Sequence, residues 1–236
     1  MLMKIRALFI SDCHLGNGHN SHEKLLKLLN EVECEYLYIV GDFIDGWALN
    51  RRFRWHINYN TILQKILRMS RKGTHVVYVW GNHDDFMESF DNTSFGDRIV
   101  VVRETVHTLL GGGRYLVIHG DQFDGVVEKN RCIQYIGSMI YDFSLGINKL
   151  FRIFKFSFSN FLKQRAKEAI KYISNYEMVL SEHCKDGGYD GIICGHIHAP
   201  MNKVMGGIHY VNIGDFVESD TYVCETLEGD LILNKL

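Results

Sequence analysis

Five short apolar runs in this 236-residue chain each stop at a cluster of aspartate, asparagine, histidine and glycine. The runs at 4–10, 36–40, 75–80, 114–118 and 191–194 lead in turn into five clusters: Asp12-Cys13-His14, Gly41-Asp42-Phe43-Ile44-Asp45, Gly81-Asn82-His83-Asp84, His119-Gly120-Asp121 and Gly195-His196-Ile197-His198. Apolar runs of this length, bounded by glycine and polar residues, read as buried strands. In open α/β sheets the loops beyond the carboxyl ends of the strands converge on one crevice, so a fold that aligns these runs brings the clusters together. Taken singly, a Gly-Asp or an Asn-His after a strand is an ordinary turn or cap. Five of them at successive strand ends point to a site.

The rest of the chain supplies the frame. The stretch 23–32 places Leu25, Leu26, Leu28 and Leu29 at helical spacing, and 57–69 predicts a second helix. A β-α-β-α-β order predicts an α/β layered sheet. Beyond it, 99–102, 105–110 and 114–118 read as strands joined by tight turns, one of them Gly111-Gly112-Gly113. Further short strands are expected at 191–194, 202–205, 208–212, 221–225 and 231–233. Helical periodicity over about 126–182 interrupts this pattern, which predicts one domain over 1–236 carrying a helical insertion.

Charge and cysteine usage narrow the class. Twenty-six basic and 28 acidic side chains leave a formal charge of −2, so no global field draws the chain to nucleic acid. Cys13, Cys34, Cys132, Cys184, Cys194 and Cys224 form no C-x-x-C pair, and a chain of this length needs no disulfide staples. Reduced thiols and a cytoplasmic location are expected. The first apolar run carries Lys4 and Arg6 and reads as a strand, not a signal peptide. No uninterrupted apolar stretch approaches the roughly 20 residues that span a bilayer, which leaves peripheral attachment to the inner face of the cytoplasmic membrane as the expected membrane mode.

Carboxylates, an amide oxygen and imidazoles form the donor set of a borderline first-row divalent metal such as manganese, iron or zinc. An all-oxygen set would suit magnesium or calcium, and thiolates structural zinc. In their order the clusters resemble the calcineurin-like metallophosphoesterase superfamily, whose motifs read D-x-H, G-D-x-x-D, G-N-H-D, H and G-H-x-H. The resemblance runs from Asp12 to His198 and implies an α/β fold, a β-sandwich flanked by helices, with two divalent metals among the strand-end loops. It implies Asp12, His14 and His198 on one metal, Asn82, His119 and His196 on the other, and Asp42 bridging both. Manganese is the expected metal, with iron and zinc as alternatives. Two such metals clamp the attacking and leaving sides of an in-line displacement at phosphorus and acidify bound water. His83, outside the ligand set, is expected beside the phosphoryl group, stabilising its oxygens or protonating the leaving group, with Asp84 fixing its orientation. Asp45 reads as support for the ligands, Asp121 as a turn or ligand-orienting residue, and Cys13 as facing the core.

The insertion bears on the substrate. Phe143, Ile147, Leu150, Phe151, Phe154, Phe158, Phe161 and Leu162 recur at spacings of three and four, while Lys149, Arg152 and Lys155 fall on another face. That pattern suits an interfacial helix or an acyl-chain lid, against the plainer alternative of a core-packing helix. A chain of this size with a helical insertion between the single His and G-H-x-H resembles the UDP-2,3-diacylglucosamine pyrophosphatase branch, which releases UMP and diacylglucosamine 1-phosphate in lipid A synthesis. Gly214-Asp215-Phe216-Val217-Glu218 resembles that group's C-terminal strand entry. The expected partners are therefore a nucleotide-linked lipid and a membrane surface. The branch carries arginine where this chain has His83, so a paralogue acting on another phosphodiester or phosphomonoester is the alternative. A binding protein on the same fold, like the metallophosphoesterase-like retromer subunit, stands behind both, because every ligand position is filled here. Arg51 and Arg52, in the loop 50–56, are expected to receive substrate phosphate, and Phe154 and Phe158 an acyl chain.

Overall fold

The computed structural model describes residues 2–127 and 157–236. The chain divides into two compact units, Met1–Asp121 with Ser181–Leu236, and Gln122–Leu180.

In the larger unit, strands β1 (Met3–Ile10), β2 (Val32–Val40), β3 (His75–Val79), β4 (Thr93–Phe95), β5 (Ile99–Val102), β11 (Thr221–Glu225) and β12 (Leu231–Lys235) form a seven-stranded sheet. Its order is β12-β11-β1-β2-β3-β5-β4. A second sheet of five strands runs β6 (Glu104–Thr108), β7 (Arg114–Ile118), β8 (Gly191–Cys194), β10 (Ile208–Asn212) and β9 (Met201–Met205). Pairs β1–β2, β2–β3, β3–β5, β7–β8 and β8–β10 are parallel, so the carboxyl ends of the central strands point the same way within each sheet.

Side-chain alternation explains the layering. Along β1, Ala7 and Phe9 face an inter-sheet core with Tyr38, Val40, Val79, Val117, Ile193 and Val211. Leu8 and Ile10 face the other way, onto the helices. There α1 (His22–Glu31) contributes Leu25, Leu28 and Leu29, and α3 (Ile57–Arg71) contributes Tyr59, Ile62, Ile66 and Met69. Burying both faces of the seven-stranded sheet requires near-continuous apolar runs, which is how the C-terminal halves of β1 and β2 read, while Lys4, Glu33 and Glu35 at their starts are exposed. The architecture is mixed α/β with two packed sheets and flanking helices, as expected.

Boundaries differ where pairing overrides local pattern. The β2 strand begins at Val32, directly after α1, because Met3 to Ile5 pair with Val32 to Cys34 and draw that stretch into the sheet. A short α2 (Gly46–Arg51), a 3₁₀ turn (Asp85–Phe90) and the edge strand β4 have no signal in the periodicity.

The unit Gln122–Leu180 holds α4 (Asp124–Val127) and most of α5 (Ser157–Asp186). Within it the Tyr172 hydroxyl donates to Asp124 Oδ1 at 2.7 Å, and Tyr176 and Leu180 are fully buried. No described helix is long and apolar enough to cross a membrane. Phe143, Phe151 and Phe154, with Lys149, Arg152 and Lys155, lie outside the described residues, as do the side chains of Phe158 and Phe161.

Candidate metal centre

The strand ends turn sharply where the clusters begin. Asp12, His14, Asp42, His196 and His198 all have positive φ, between 45° and 69°. Asp and His tolerate this left-handed region better than most side chains. The turns bring four buried carboxylates together: Asp12 and Asp215 at 0% exposed, Asp42 at 2% and Asp45 at 3%. Buried charges persist when they are paired or hold a cation.

Imidazoles interleave with them. His198 Nε2 lies 3.2 Å from Asp12 Oδ1, His119 Nε2 lies 3.3 Å from Asp42 Oδ2, and His14 Nε2 is 3.8 Å from Asp12 and 3.9 Å from Asp42. Behind each ring stands an acceptor for the other nitrogen. His119 Nδ1 donates to the Val40 carbonyl at 3.1 Å, while His14 Nδ1 faces Asp45 Oδ2 at 3.4 Å and His198 Nδ1 faces Asp215 Oδ2 at 3.7 Å. An acceptor behind Nδ1 turns the Nε2 lone pair toward the centre, the arrangement that orients metal-binding histidines. The His196 ring packs edge-on against His119 at 5.2 Å, and its backbone N–H donates to Asp12 Oδ2 at 3.0 Å.

The residues fit a divalent metal. Asp12 Oδ1, His14 Nε2, His119 Nε2 and Asn82 Oδ1 are all buried without a hydrogen-bond partner. Such orphaned acceptors are costly unless something else satisfies them. Asp12, His14 and His198 present ligand atoms within 4.8 Å of one another, as do Asp12, Asp42 and His119. In the chain alone the two charge types compensate. Burial pushes Asp12 up, but His198 and His119 reverse this and leave its carboxyl lowered to about 2. Burial likewise opposes ionisation of Asp42, and His119 with His14 holds it well below the usual range. Burial pulls His198 down, yet the Asp12 charge raises it to about 9.

His83 stands beside this cluster. Its backbone N–H donates to Asp42 Oδ1 at 2.8 Å, its ring lies 4.2 Å from Trp47, and Nδ1 meets Asp45 Oδ1 at 3.0 Å. Burial lowers this imidazole, but the Asp45 hydrogen bond and the Asp42 charge outweigh it and raise it above its ordinary value. The expectation that Asp84 orients His83 does not hold. The Asp84 carboxylate is fully committed elsewhere, accepting from Gly81 N, from Phe43 N at 2.9 Å and from the Tyr78 hydroxyl at 2.6 Å. It stitches two strand-end loops together, and Asp45 takes the place behind His83. His14, Asp45 and His83 also present ligand atoms within 4.8 Å, a grouping the motifs did not suggest.

Other placements follow plainly. Cys13 is buried in the cluster between sheet and helices. Arg51 and Arg52, at the end of α2, are exposed, with no hydrogen bond to the centre among the described residues. Three contributors went unread in the sequence. The Ser11 hydroxyl lies within hydrogen-bond reach of both Asp12 Oδ2 and the Val40 carbonyl, its one proton serving one of them, Asp215 backs His198, and Trp47 covers His83. Only Asp215 had a signal, its place in the 214–218 stretch.

A fold of two packed sheets with this donor set at its strand ends defines a metal-dependent phosphoesterase class. The chain belongs to the calcineurin-like phosphoesterase family, whose model matches residues 5–200. It is 26% identical over 127 residues to the UDP-2,3-diacylglucosamine hydrolase of Porphyromonas gingivalis, covering 51% of this chain and 47% of that one. It is 29% identical over 119 residues to the protein of the same description from Histophilus somni, covering 49% of each. The chain thus spans about half the length of these curated relatives. The solved structure of an archaeal phosphodiesterase superposes with a TM-score of 0.50 at 13% identity, covering 98% of this chain and 99% of that one, a likeness of fold alone.

Proposed function

We propose that this chain hydrolyses a phosphoester or pyrophosphate with two divalent metals, and that its substrate is UDP-2,3-diacylglucosamine or a related nucleotide-linked lipid. The observation that carries the reading is the set of orphaned, buried acceptors gathered around Asp42. Asp12, His14 and His198 would hold one cation and Asn82, His119 and His196 the other, with Asp42 shared between them; manganese would suit the mixed N/O set. Bound there, the cations supply positive charge to phosphoryl oxygens and lower the pKa of water. The chain's own residues do the rest. Asp45 fixes the His14 and His83 rings, and His83, raised above its ordinary pKa, holds a proton at Nε2 for a phosphoryl or leaving-group oxygen. The substrate reading draws support from the relatives in Porphyromonas gingivalis and Histophilus somni. The acyl chain falls to the Phe151, Phe154, Phe158 and Phe161 pattern, with Lys149, Arg152 and Lys155 toward anionic lipid on the inner face of the cytoplasmic membrane.

A substrate panel with manganese tests this: UDP-2,3-diacylglucosamine, other nucleotide diphosphates, a generic phosphodiester and a generic monoester. The glycolipid is expected to be turned over fastest, and Asp42→Ala to lose activity by orders of magnitude. Turnover that survives exhaustive chelation overturns the reading. One observation favours a second substrate. His83 stands where the glycolipid branch carries arginine, and an imidazole can protonate a leaving group where a guanidinium cannot. If His83→Arg raises glycolipid turnover while the other esters slow, the native substrate is another phosphodiester or a phosphomonoester. Exchanging Phe154 and Phe158 for Ser separates the lipid element, slowing acylated substrates alone.

A further inference from the structure

Arg103 sits at the crossing from one sheet to the other, between the end of β5 and the start of β6. One guanidinium nitrogen donates to the Trp80 carbonyl at 2.7 Å, and another to Asp121 Oδ2 at 2.8 Å. The guanidinium also lies over the Trp80 ring, 4.1 Å from its centroid, and that indole is pinned in turn by its own donation to Asp91 at 3.2 Å. Trp80 follows β3 of the seven-stranded sheet, and Asp121 follows β7 of the other. One side chain therefore fastens a strand-end loop from each sheet.

Both anchor points lie two residues from a proposed ligand: Asn82 follows Trp80, and His119 precedes Asp121. The third member of that set is tied to the same loop, since Gly195 N donates to the His119 carbonyl at 3.1 Å. Asp12, His14 and His198 have supports of their own in Ser11, Asp45 and Asp215, and the His196 N–H to Asp12 Oδ2 is a backbone link between the two sets that does not pass through Arg103. The second oxygen of Asp121 is buried with no hydrogen-bond partner, though the side chain as a whole is 13% exposed, so loss of Arg103 leaves a half-buried carboxylate unpaired next to His119.

We infer that Arg103 is a positioning residue that sets the spacing of Asn82 against His119 and so governs the affinity of one metal position and not the other. The inference rests on the two-metal reading proposed above. A planar fork serves two acceptors and an aromatic face at once, which a lysine ammonium cannot do.

Calorimetric titration of the metal-free chain with manganese tests it, with thermal unfolding followed in parallel. Wild type is expected to bind two equivalents. In Arg103→Ala one equivalent should weaken by roughly 10–100-fold, the usual consequence of removing a ligand's supporting partner, while the other is unchanged. Arg103→Lys should recover part of the loss. Asp121→Asn, which keeps an acceptor for the guanidinium but drops the charge, carries the test if Arg103→Ala does not fold. It should weaken the same equivalent by less. Both equivalents weakening together, or neither changing, overturns the role given to Arg103 and leaves two-metal binding intact. A wild-type chain that binds no manganese overturns the underlying reading instead.

Discussion

Adding one methyl group at Gly81 tests the packing of the centre more sharply than deleting a ligand. A Cβ built there falls against Asp42 Oδ1 and lies 2.5 Å from His119 Cδ2 and 2.8 Å from His119 Nε2. Ordinary contact begins at 3.4 Å, so the ring must retreat by about 0.9 Å. It has nowhere cheap to go: His119 is fully buried and its Nδ1 is held on the Val40 carbonyl. Overpacking of this kind costs about 1–3 kcal/mol of stability, and a misplacement near 1 Å at a reacting centre costs on the order of 10²-fold in rate. Gly81→Ala should therefore fold with a modestly lowered Tm while kcat/KM with manganese falls about a hundredfold, near 2.7 kcal/mol of transition-state stabilisation. Gly111→Ala is the control, since a Cβ there meets nothing within 4 Å. Paired kinetics, metal analysis and thermal unfolding on both variants make the comparison. If Gly81→Ala keeps wild-type kcat/KM and metal content, His119 and Asp42 do not close on Gly81 as described, and the reasoning fails.

His83→Ala should lower kcat by about 10²–10⁴-fold with both metals retained, and Asp45→Asn should follow it in part because His83 Nδ1 loses its carboxylate; metal analysis beside kinetics would show His83 to be a ligand if an equivalent is lost. Asp84→Ala should act on stability, since it strands Gly81 N, Phe43 N and the Tyr78 hydroxyl, each worth about 1–3 kcal/mol when buried unmet. A Tm equal to wild type would contradict that. Burial lowers the His107 imidazole from 6.5, against the Glu225 hydrogen bond. The unfolded chain therefore protonates first as the pH falls. The stability gained by keeping His107 neutral is present above pH 6.5 and is lost as the pH drops through the lowered folded value, so His107→Phe should flatten the fall in Tm below pH 6.5.

The centre was more legible in the sequence than its supports. Asp12, His14, Asp42, Asn82, His119, His196 and His198 stand out together because five polar clusters each follow an apolar run, although any one of them alone reads as a turn or cap. What the sequence cannot display is which neighbour fills an acceptor. Asp84 adjoins His83 in the chain while Asp45 lies 38 residues before it, and only the turn after β2 decides that the distant carboxylate, not the adjacent one, reaches the ring. Arg103 and Trp47 carry no local pattern at all, since their partners lie in loops distant in sequence. The early start of β2 is hidden for a related reason: α1 runs into it without a linker, and pairing with β1 selects the boundary.

The left-handed turns at Asp12, His14, Asp42, His196 and His198 have a consequence for anyone who sets out to harden this protein against heat. Each residue held there carries strain of roughly 1–3 kcal/mol, which glycine would not feel. A screen that rewards survival at high temperature alone will therefore tend to harvest glycine at these five positions, discarding the very atoms that gather around Asp42. Heat resistance and turnover pull in opposite directions at these residues, and selection has to demand both to keep either His196 or His198.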